Sequence, residues 1–211
     1  GWYRMKGRVD ITDFVPQSEH AWHDVPLARE RWRSTNHLMG EGYWLWLIPL
    51  AGDITSVGMV VHGEVHGFDR VRTLEHLQSF IREVEPEVAR HLENAEILDF
   101  LCLNGFSHGV SRSWSAERWG IVGVAGAFLD PLYSNGSDFI ALANCHTVEL
   151  IRSDSQREPD FAERVSTLNL QYHAFVAGST DIFRKAAPIY AHARAMAAKI
   201  YWDNFCYWSF P

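Results

Sequence analysis

Residues 43–62 read Tyr43-Trp-Leu-Trp-Leu-Ile-Pro-Leu-Ala-Gly-Asp-Ile-Thr-Ser-Val-Gly-Met-Val-Val-His62, and they are the most informative segment for the fold of the first half of this 211-residue chain. Residues 43–50 are an apolar run of aromatic and branched side chains, which is typical of a buried strand, and Pro49 marks its end or an edge position. Ala51-Gly52-Asp53 is a turn sequence, and residues 54–62 have the composition of a second strand. The stretch therefore predicts a β-hairpin over residues 43–62.

Shorter elements are predicted on both sides of this hairpin. Residues 1–40 are polar and irregular, and alternating stretches such as Arg8-Val9-Asp10-Ile11 indicate short strands and loops. The elements predicted after the hairpin are a helix over 73–82, a second short helix that starts near Pro86, and strands over 97–103 and 106–110.

The chain changes character near residue 112, after which helices dominate. The pattern predicts a short buried strand over 119–124, a Gly/Pro-rich turn over 125–136 and a helix that starts at Ser134. Two long helices are predicted over roughly 158–184 and 188–208, with Pro159 and Pro188 in their first turns. An antiparallel sheet followed by helices makes the predicted fold class α+β.

Composition and charge exclude several classes of protein. The net charge is −7 and no basic stripe occurs, so a nucleic-acid partner is not expected. No apolar run approaches the ~20 residues of a membrane-spanning helix. Three distant cysteines, Cys102, Cys145 and Cys206, form neither a disulfide framework nor a zinc pattern, which favours a reducing cytoplasm. The chain starts at Gly1 without a methionine and ends on Phe210-Pro211, so we expect a segment of a longer protein.

The turn over residues 123–136 is the most informative segment for function. Unpaired N–H groups at a helix start attract an anion or an electron-rich carbonyl, and Gly136 would let a planar ligand approach the backbone. The alternative is structural, with Ser134 as an ordinary N-cap and the glycines serving only close packing. Gly120, Gly123 and Gly126 are not a dinucleotide fingerprint, because their spacing is GxxGxxG and not GxGxxG.

Nine tryptophans make the chain unusually aromatic. Trp44 and Trp46 point to the same face of a strand, where two indoles would form a wall for a flat ligand. The alternative is that they fill an interface between sheet and helix, and periodicity does not separate the two. The pairs His62/His66 and His20/His23 lack a supporting carboxylate or cysteine cluster, so no metal site is predicted.

Two motifs resemble those of a known enzyme family. Ser34–Gly40 running into Trp44-x-Trp46-x-Ile48-Pro49 resembles the WxWxIP region of the flavin-dependent halogenases, the tryptophan-halogenase superfamily. Phe128–Asn144, with Asp130-Pro131 and Ser134-Asn135-Gly136, resembles the second flavin-contacting region of that family. The two motifs occur in the family's order, and the resemblance runs from about residue 30 to about 208.

The resemblance implies a part of an FAD-dependent monooxygenase-like fold. Its segments would be a substrate-binding sheet region with a helical insert (1–112), a flavin-contacting strand–turn–helix (113–152) and a C-terminal helical region (153–211). In the family, the WxWxIP segment keeps the substrate away from the flavin, so that hypohalous acid travels between them. The resemblance implies that the catalytic segment lining the tunnel consists of Trp44, Trp46, Ile48 and Pro49. It implies that the flavin is contacted by Gly123, Asp130, Pro131, Ser134, Asn135 and Gly136. The halide would be contacted by Asn135 and Gly136, and the substrate by Tyr133.

The implied reaction partners are FAD, chloride or bromide as co-substrate, a flavin reductase, and an aromatic substrate. The chain departs from the family in three respects. It lacks the GxGxxG unit and a lysine in a catalytic context, it has Val124 where an acid is usual, and Tyr133 replaces the glutamate of tryptophan-specific members. The last difference favours a phenolic, pyrrolic or carrier-bound substrate. The alternative hypothesis is a non-catalytic fragment or degenerate relative that binds a planar ligand or a partner chain.

Overall fold

Residues 43–62 form the predicted antiparallel hairpin inside a five-stranded sheet. This computed structural model describes residues 1–26, 28–184 and 186–209. The chain divides into two compact units, Gly1–Asn104 with Ala187–Ala198, and Gly105–Ala186 with Lys199–Pro211.

The first unit is built on the sheet. Its elements are β1 (Trp2–Lys6), α1 (His20–His23), β2 (Asn36–Gly40), β3 (Tyr43–Leu50), β4 (Ile54–Val61), α2 (Leu74–Val84), α3 (Pro86–Leu92) and β5 (Ile97–Leu101). The strand order is β2-β3-β4-β1-β5, and every neighbouring pair is antiparallel. The hairpin turn closes at Gly52 and Asp53, both with positive φ (79° and 57°), a conformation that glycine and aspartate tolerate better than most residues.

One face of this sheet carries the core of the first unit. Tyr43, Leu45 and Leu47 alternate along β3 and pack with the apolar face of α2. The helix predicted over 73–82 is confirmed by α2. Thr73 caps its start by accepting a hydrogen bond from the backbone N–H of His76 (3.2 Å). The short helix predicted from Pro86 is also confirmed, with the proline in its first turn.

The second unit is mostly helical. Its elements are β6 (His108–Gly109), β7 (Trp114–Ser115), β8 (Trp119–Gly120), β9 (Ala127–Phe128), α4 (Gly136–Ser155), α5 (Phe161–Phe183) and the greater part of α6 (Ala193–Ser209). Trp114, Phe139 and Tyr172 lie at the centre of its core. The Asn169 side chain ties α5 to β7, because it accepts from the backbone N–H of Trp114 (3.1 Å) and donates to its carbonyl (2.8 Å).

Several predicted elements differ from those observed in the second half. The buried strand over 119–124 is wrong: only Trp119 and Gly120 pair, Trp119 and Val122 are exposed, and Gly123–Ala125 is a 3-10 turn. The strand over 106–110 shrinks to two residues. The apolar composition was right for a buried strand, but these side chains have no layer of the unit above them.

The two prolines also lie outside the helix starts predicted for them. Pro159 precedes Asp160, the N-cap of α5, and Pro188 lies in a 3-10 turn (Ala187–Ile189) four residues before α6 begins. In the first unit, the alternation at Arg8–Ile11 does not form a strand. Asp10 instead caps a 3-10 turn (Ile11–Phe14), accepting from the backbone N–H of Thr12 (2.9 Å). A side chain that bonds its own backbone competes with sheet pairing at such positions.

Candidate functional site

The two tryptophans of β3 lie side by side on the sheet face opposite the core of the first unit. Their ring centroids are 5.5 Å apart, with planes inclined at 44°. Trp44 is 2% exposed, whereas Trp46 is partly exposed and donates its indole N–H to the Ser56 hydroxyl (3.1 Å). The prediction that both indoles share one face is confirmed, and Trp46 presents the more accessible surface.

His37 on β2 completes this aromatic group. Its ring stands nearly perpendicular to Trp44, with centroids 5.1 Å apart. Burial lowers the pKa of His37, so the imidazole is neutral at pH 7. The wall is therefore uncharged, which suits an aromatic or otherwise uncharged ligand.

The close approach of Trp46 to the sheet depends on Gly58 of β4. A Cβ at this position would lie 2.1 Å from Cζ2 of Trp46 and 2.5 Å from the Cβ of Trp2. No side chain fits there, so glycine allows the indole to lie flat across the neighbouring strand.

Ile48 and Pro49, which end the WxWxIP segment, are half-buried on β3. Strand β2 pairs with β3 only from Tyr43 to Leu47, while β4 pairs with its whole length. Beyond Leu47, β3 is therefore an edge on one side. The prediction of an end or edge position for Pro49 is confirmed, because a residue without an N–H is tolerated at an edge.

The second group of predicted site residues forms a continuous turn in the second unit. Asp130 is buried, and its carboxylate accepts from the backbone N–H of Leu132 (3.0 Å), which caps a 3-10 turn over Pro131–Tyr133. Ser134 then adopts a left-handed conformation (φ 59°) and ends that turn. Ser134 is therefore not the N-cap of α4; Asn135 occupies that position, without a side-chain capping bond.

After the left-handed Ser134, α4 begins with backbone N–H groups that have no hydrogen-bond partner among the described residues. Among the described residues, no hydrogen bond from the backbone N–H groups of Asn135, Gly136 and Ser137 is found. A Cβ added to Gly136 would meet nothing within 4 Å, so there is room for a ligand beside Gly136, whereas the neighbouring Asn135 is 3% exposed. Free amides and the positive end of the helix dipole together suit a halide or the carbonyl edge of a flavin ring.

Gly123 lies at the start of the preceding 3-10 turn with a positive φ (66°), which favours glycine. Its neighbour Val124 is 53% exposed, and the Val124 carbonyl contacts Nε2 of His108 (2.9 Å). The amides at residues 135–137 have the chemistry to face a flavin ring edge, whereas Val124 offers no carboxylate and the 211-residue sequence carries no GxGxxG for the nucleotide.

Tyr133, the predicted substrate contact, belongs to a buried polar cluster. Its hydroxyl donates to the carboxylate of Asp203 on α6 (2.9 Å). Asp203 also pairs with Lys199, one turn earlier, and Lys199 donates to the carbonyl of Ile182 (2.6 Å). The sequence predicted no role for Lys199 or Asp203. Their i,i+4 spacing on one helix was the available indication.

No group of three or more potential metal ligands occurs among residues 1–26, 28–184 and 186–209. Within the same described residues, no helix is both long enough and apolar enough to cross a bilayer.

Most of the known proteins that this chain resembles are flavin-dependent halogenases, and one solved structure is a flavoprotein/dehydrogenase from Cytophaga hutchinsonii. No protein-family model matches the chain. The flavin-dependent halogenase chlA of Dictyostelium discoideum is 26% identical over 213 residues, which cover 99% of this chain and 34% of chlA. The 1H-pyrrole-2-carbonyl-[peptidyl-carrier protein] brominase of Pseudoalteromonas luteoviolacea (strain 2ta16) is 26% identical over 111 residues, covering 52% of this chain and 27% of the brominase.

Solved halogenase structures share the fold. Halogenase PltM superposes with a TM-score of 0.72 at 16% identity, covering 86% of this chain and 36% of PltM. A triple mutant of the flavin-dependent brominase Bmp2 superposes with a TM-score of 0.68 at 17% identity, covering 98% and 50%. The predicted α+β, monooxygenase-like fold class is thereby confirmed.

The chain is thus a relative of the flavin-dependent halogenases, and the resemblance drawn from its two motifs is confirmed. It spans about a third of the length of the curated relatives it matches.

Proposed function

We propose that this chain is part of an FAD-dependent halogenase that acts on an aromatic substrate. In this proposal the 130–136 turn contacts the flavin ring edge, and the amides of Asn135 and Gly136 bind chloride or bromide. The observation that carries it is the set of free backbone N–H groups at the start of α4, within the Asp130-Pro131 to Gly136 sequence. The halogenase relatives support the same chemistry.

In this proposal, the residues of this turn bind and orient the flavin ring edge and the halide. The Asp130 cap and the left-handed Ser134 fix the direction in which the chain enters the helix. An anion there gains from hydrogen bonds and from the helix dipole without a positively charged side chain. Bound FAD would supply the oxidising chemistry that converts halide into an electrophilic halogen.

Trp44, Trp46, Ile48 and Pro49 would act as an uncharged wall along the path to the substrate. The rigid packing of Trp46 over Gly58 and the edge position of Pro49 support a fixed surface. An apolar wall of this kind excludes water, which would otherwise consume a reactive halogen species.

A phenolic, pyrrolic or carrier-bound substrate is proposed in preference to tryptophan, because Tyr133 stands where tryptophan-specific members have glutamate. One relative is a brominase of a carrier-bound pyrrole, and PltM has been crystallised with phloroglucinol and FAD. A flavin reductase would provide the reduced flavin.

The test uses the full-length protein with FAD, a flavin reductase, sodium bromide and phloroglucinol. We expect bound flavin absorbance and a brominated product. Gly136→Pro removes one amide and should raise the KM for bromide about tenfold; because Asn135 before it has an αR backbone (φ −67°, ψ −10°) that a following proline disfavours, circular dichroism and bound flavin absorbance check that the variant keeps its fold. Gly136→Ala keeps the amide and meets no neighbour, so it is the matched control. A full-length preparation with neither bound flavin nor halogenated product would overturn the proposal.

A second candidate is a non-catalytic relative that binds a planar ligand or a partner chain. The observation that favours it is the exposed aromatic surface on α6, where Tyr201, Phe205 and Trp208 are all exposed. For this candidate we expect phloroglucinol to change the tryptophan fluorescence. We also expect the complete reaction mixture to give no halogenated product. Turnover would exclude it.

A further inference from the structure

Helix α6 contacts both sides of the turn that carries the proposed halide amides. Asp203 accepts from the hydroxyl of Tyr133, just before the turn, and the hydroxyl of Tyr207 donates to Asp138, just after it. Asp203 and Tyr207 are four residues apart and therefore lie on the same face of α6. The two contacted residues, Tyr133 and Asp138, lie immediately before and immediately after residues 134–137 in the sequence.

The second contact changes what the Asp138 carboxylate does. Asp138 is the third residue of α4 after its N-cap, Asn135. In a capping box, an acidic side chain at this position reaches back to accept a hydrogen bond from the backbone N–H of the N-cap residue, here Asn135. Here one carboxylate oxygen of Asp138 instead accepts from Tyr207, and no capping bond to the helix start is made by the described residues. Burial and the bond to Asp138 raise the pKa of Tyr207, so the hydroxyl remains a donor at neutral pH.

We propose that Tyr207 is a positioning residue that holds the Asp138 carboxylate away from the backbone N–H of Asn135, and so keeps the anion site at this helix start available for halide. This inference rests on the proposed function, because it assigns a role in the same anion site. Without the Tyr207 hydroxyl, the carboxylate is an internal anion that competes with bromide for this N–H donor. The first contact, Tyr133 to Asp203, anchors the other end of the turn.

The experiment measures hydrogen exchange of the backbone amides at 135–137 in the full-length protein, with increasing sodium bromide. In the wild type, bromide should slow exchange at these amides. In Tyr207→Phe, exchange at Asn135 should already be slow without bromide, and the bromide concentration for half-maximal protection should rise about fivefold, the effect of one competing capping bond. The matched control is Tyr201→Phe, the same substitution at an exposed position of the same helix.

The double variant Tyr207→Phe with Asp138→Ala separates this role from a merely structural one. Removing the competing carboxylate should restore both fast exchange and the wild-type bromide response, and the KM for bromide should follow. If Tyr207 only braced the turn, Asp138→Ala alone would impair bromide protection as much as Tyr207→Phe, and the double variant would not recover.

Failure of the inference and failure of the proposed function give different results. Wild-type protection by bromide together with an unchanged response in Tyr207→Phe would overturn the role of Tyr207 and leave the halide site standing. Absence of bromide protection in the wild type would overturn the halide site itself, and the inference with it.

Discussion

Gly58 illustrates how one residue fixes the aromatic wall. Its hydrogen lies where a methyl group would overlap both Trp46 and the Cβ of Trp2. We expect Gly58→Ala to lower the free energy of unfolding by about 1–3 kcal/mol, because the indole or the strand must move. Urea unfolding measures this change. Gly63→Ala is the control, since a Cβ there meets nothing within 4 Å. Equal losses in the two variants would contradict the steric explanation.

His146 gives a pH-dependent contribution to stability in the second unit. Its ring is packed against Trp114 (5.4 Å) and Tyr172 (6.5 Å), and its Nδ1 is buried without a described partner. Burial lowers the pKa of His146, and the nearby Glu149 opposes this only in part. The unfolded state therefore takes up a proton at a higher pH than the folded state, so stability is lost as the pH falls below about 6.5.

We accordingly expect His146→Leu to weaken the dependence of the melting temperature on pH between about 7 and 5, because the group that titrates is gone. Thermal unfolding followed by circular dichroism at several pH values checks this. His76→Leu, at an exposed position on α2, is the control. An unaltered pH dependence in His146→Leu would show that other groups cause the loss.

At the scale of elements, local patterns predicted the first unit well. The β3–β4 hairpin follows from alternation and a turn sequence, and α2 from periodic apolar residues behind the Thr73 cap. The segment 119–124 has an equally apolar sequence, yet Trp119 and Val122 are exposed, because a pattern does not say whether a covering layer exists. The helix start lies close to its predicted position, although the cap was placed one residue too early, and the anion site at Asn135–Ser137 stays a prediction.

The contacts of α6 with this turn could not have been predicted from local sequence. Tyr207 and Asp138 are 69 residues apart, and Tyr133 and Asp203 are 70 apart. Both pairs depend on how the helices of the second unit pack. The assigned site residues remain predictions, as does the division at residues 112 and 152.

The Lys199–Asp203 pair makes the most specific energetic prediction for α6. Lys199→Met leaves the buried Asp203 carboxylate without its cation and should lower the free energy of unfolding by about 3 kcal/mol. Lys199→Met with Asp203→Asn should recover part of the loss, since a neutral amide can still accept from Tyr133. Lys6→Met, which breaks an exposed pair with Glu96, should have little effect. Urea titration distinguishes these cases, and equal effects at Lys199 and Lys6 would contradict the role of burial.

For the molecule as a whole, the abundance of tryptophan has two structural explanations. Trp44 and Trp114 are buried, whereas Trp202 and Trp208 on α6 are mostly exposed. Interpretation as a core therefore holds for Trp44 and Trp114, while Trp202 and Trp208 lie outside any core; a pocket for a flat ligand stays a prediction. The composition alone could not divide the tryptophans between them.

The exposed face of α6 should make the isolated chain associate with itself. Tyr201, Phe205 and Trp208 are spaced four and three residues apart and so form one apolar stripe on the helix. Contiguous apolar surface of this kind is normally covered by another surface. We expect the mean particle size from light scattering to rise with protein concentration, and Tyr201→Ser with Phe205→Ser to suppress the rise. Leu170→Ser, at an exposed but single apolar position on α5, should not. Association unchanged in the double variant would place the contact surface elsewhere, and a size independent of concentration in the wild type would show that the stripe does not drive association.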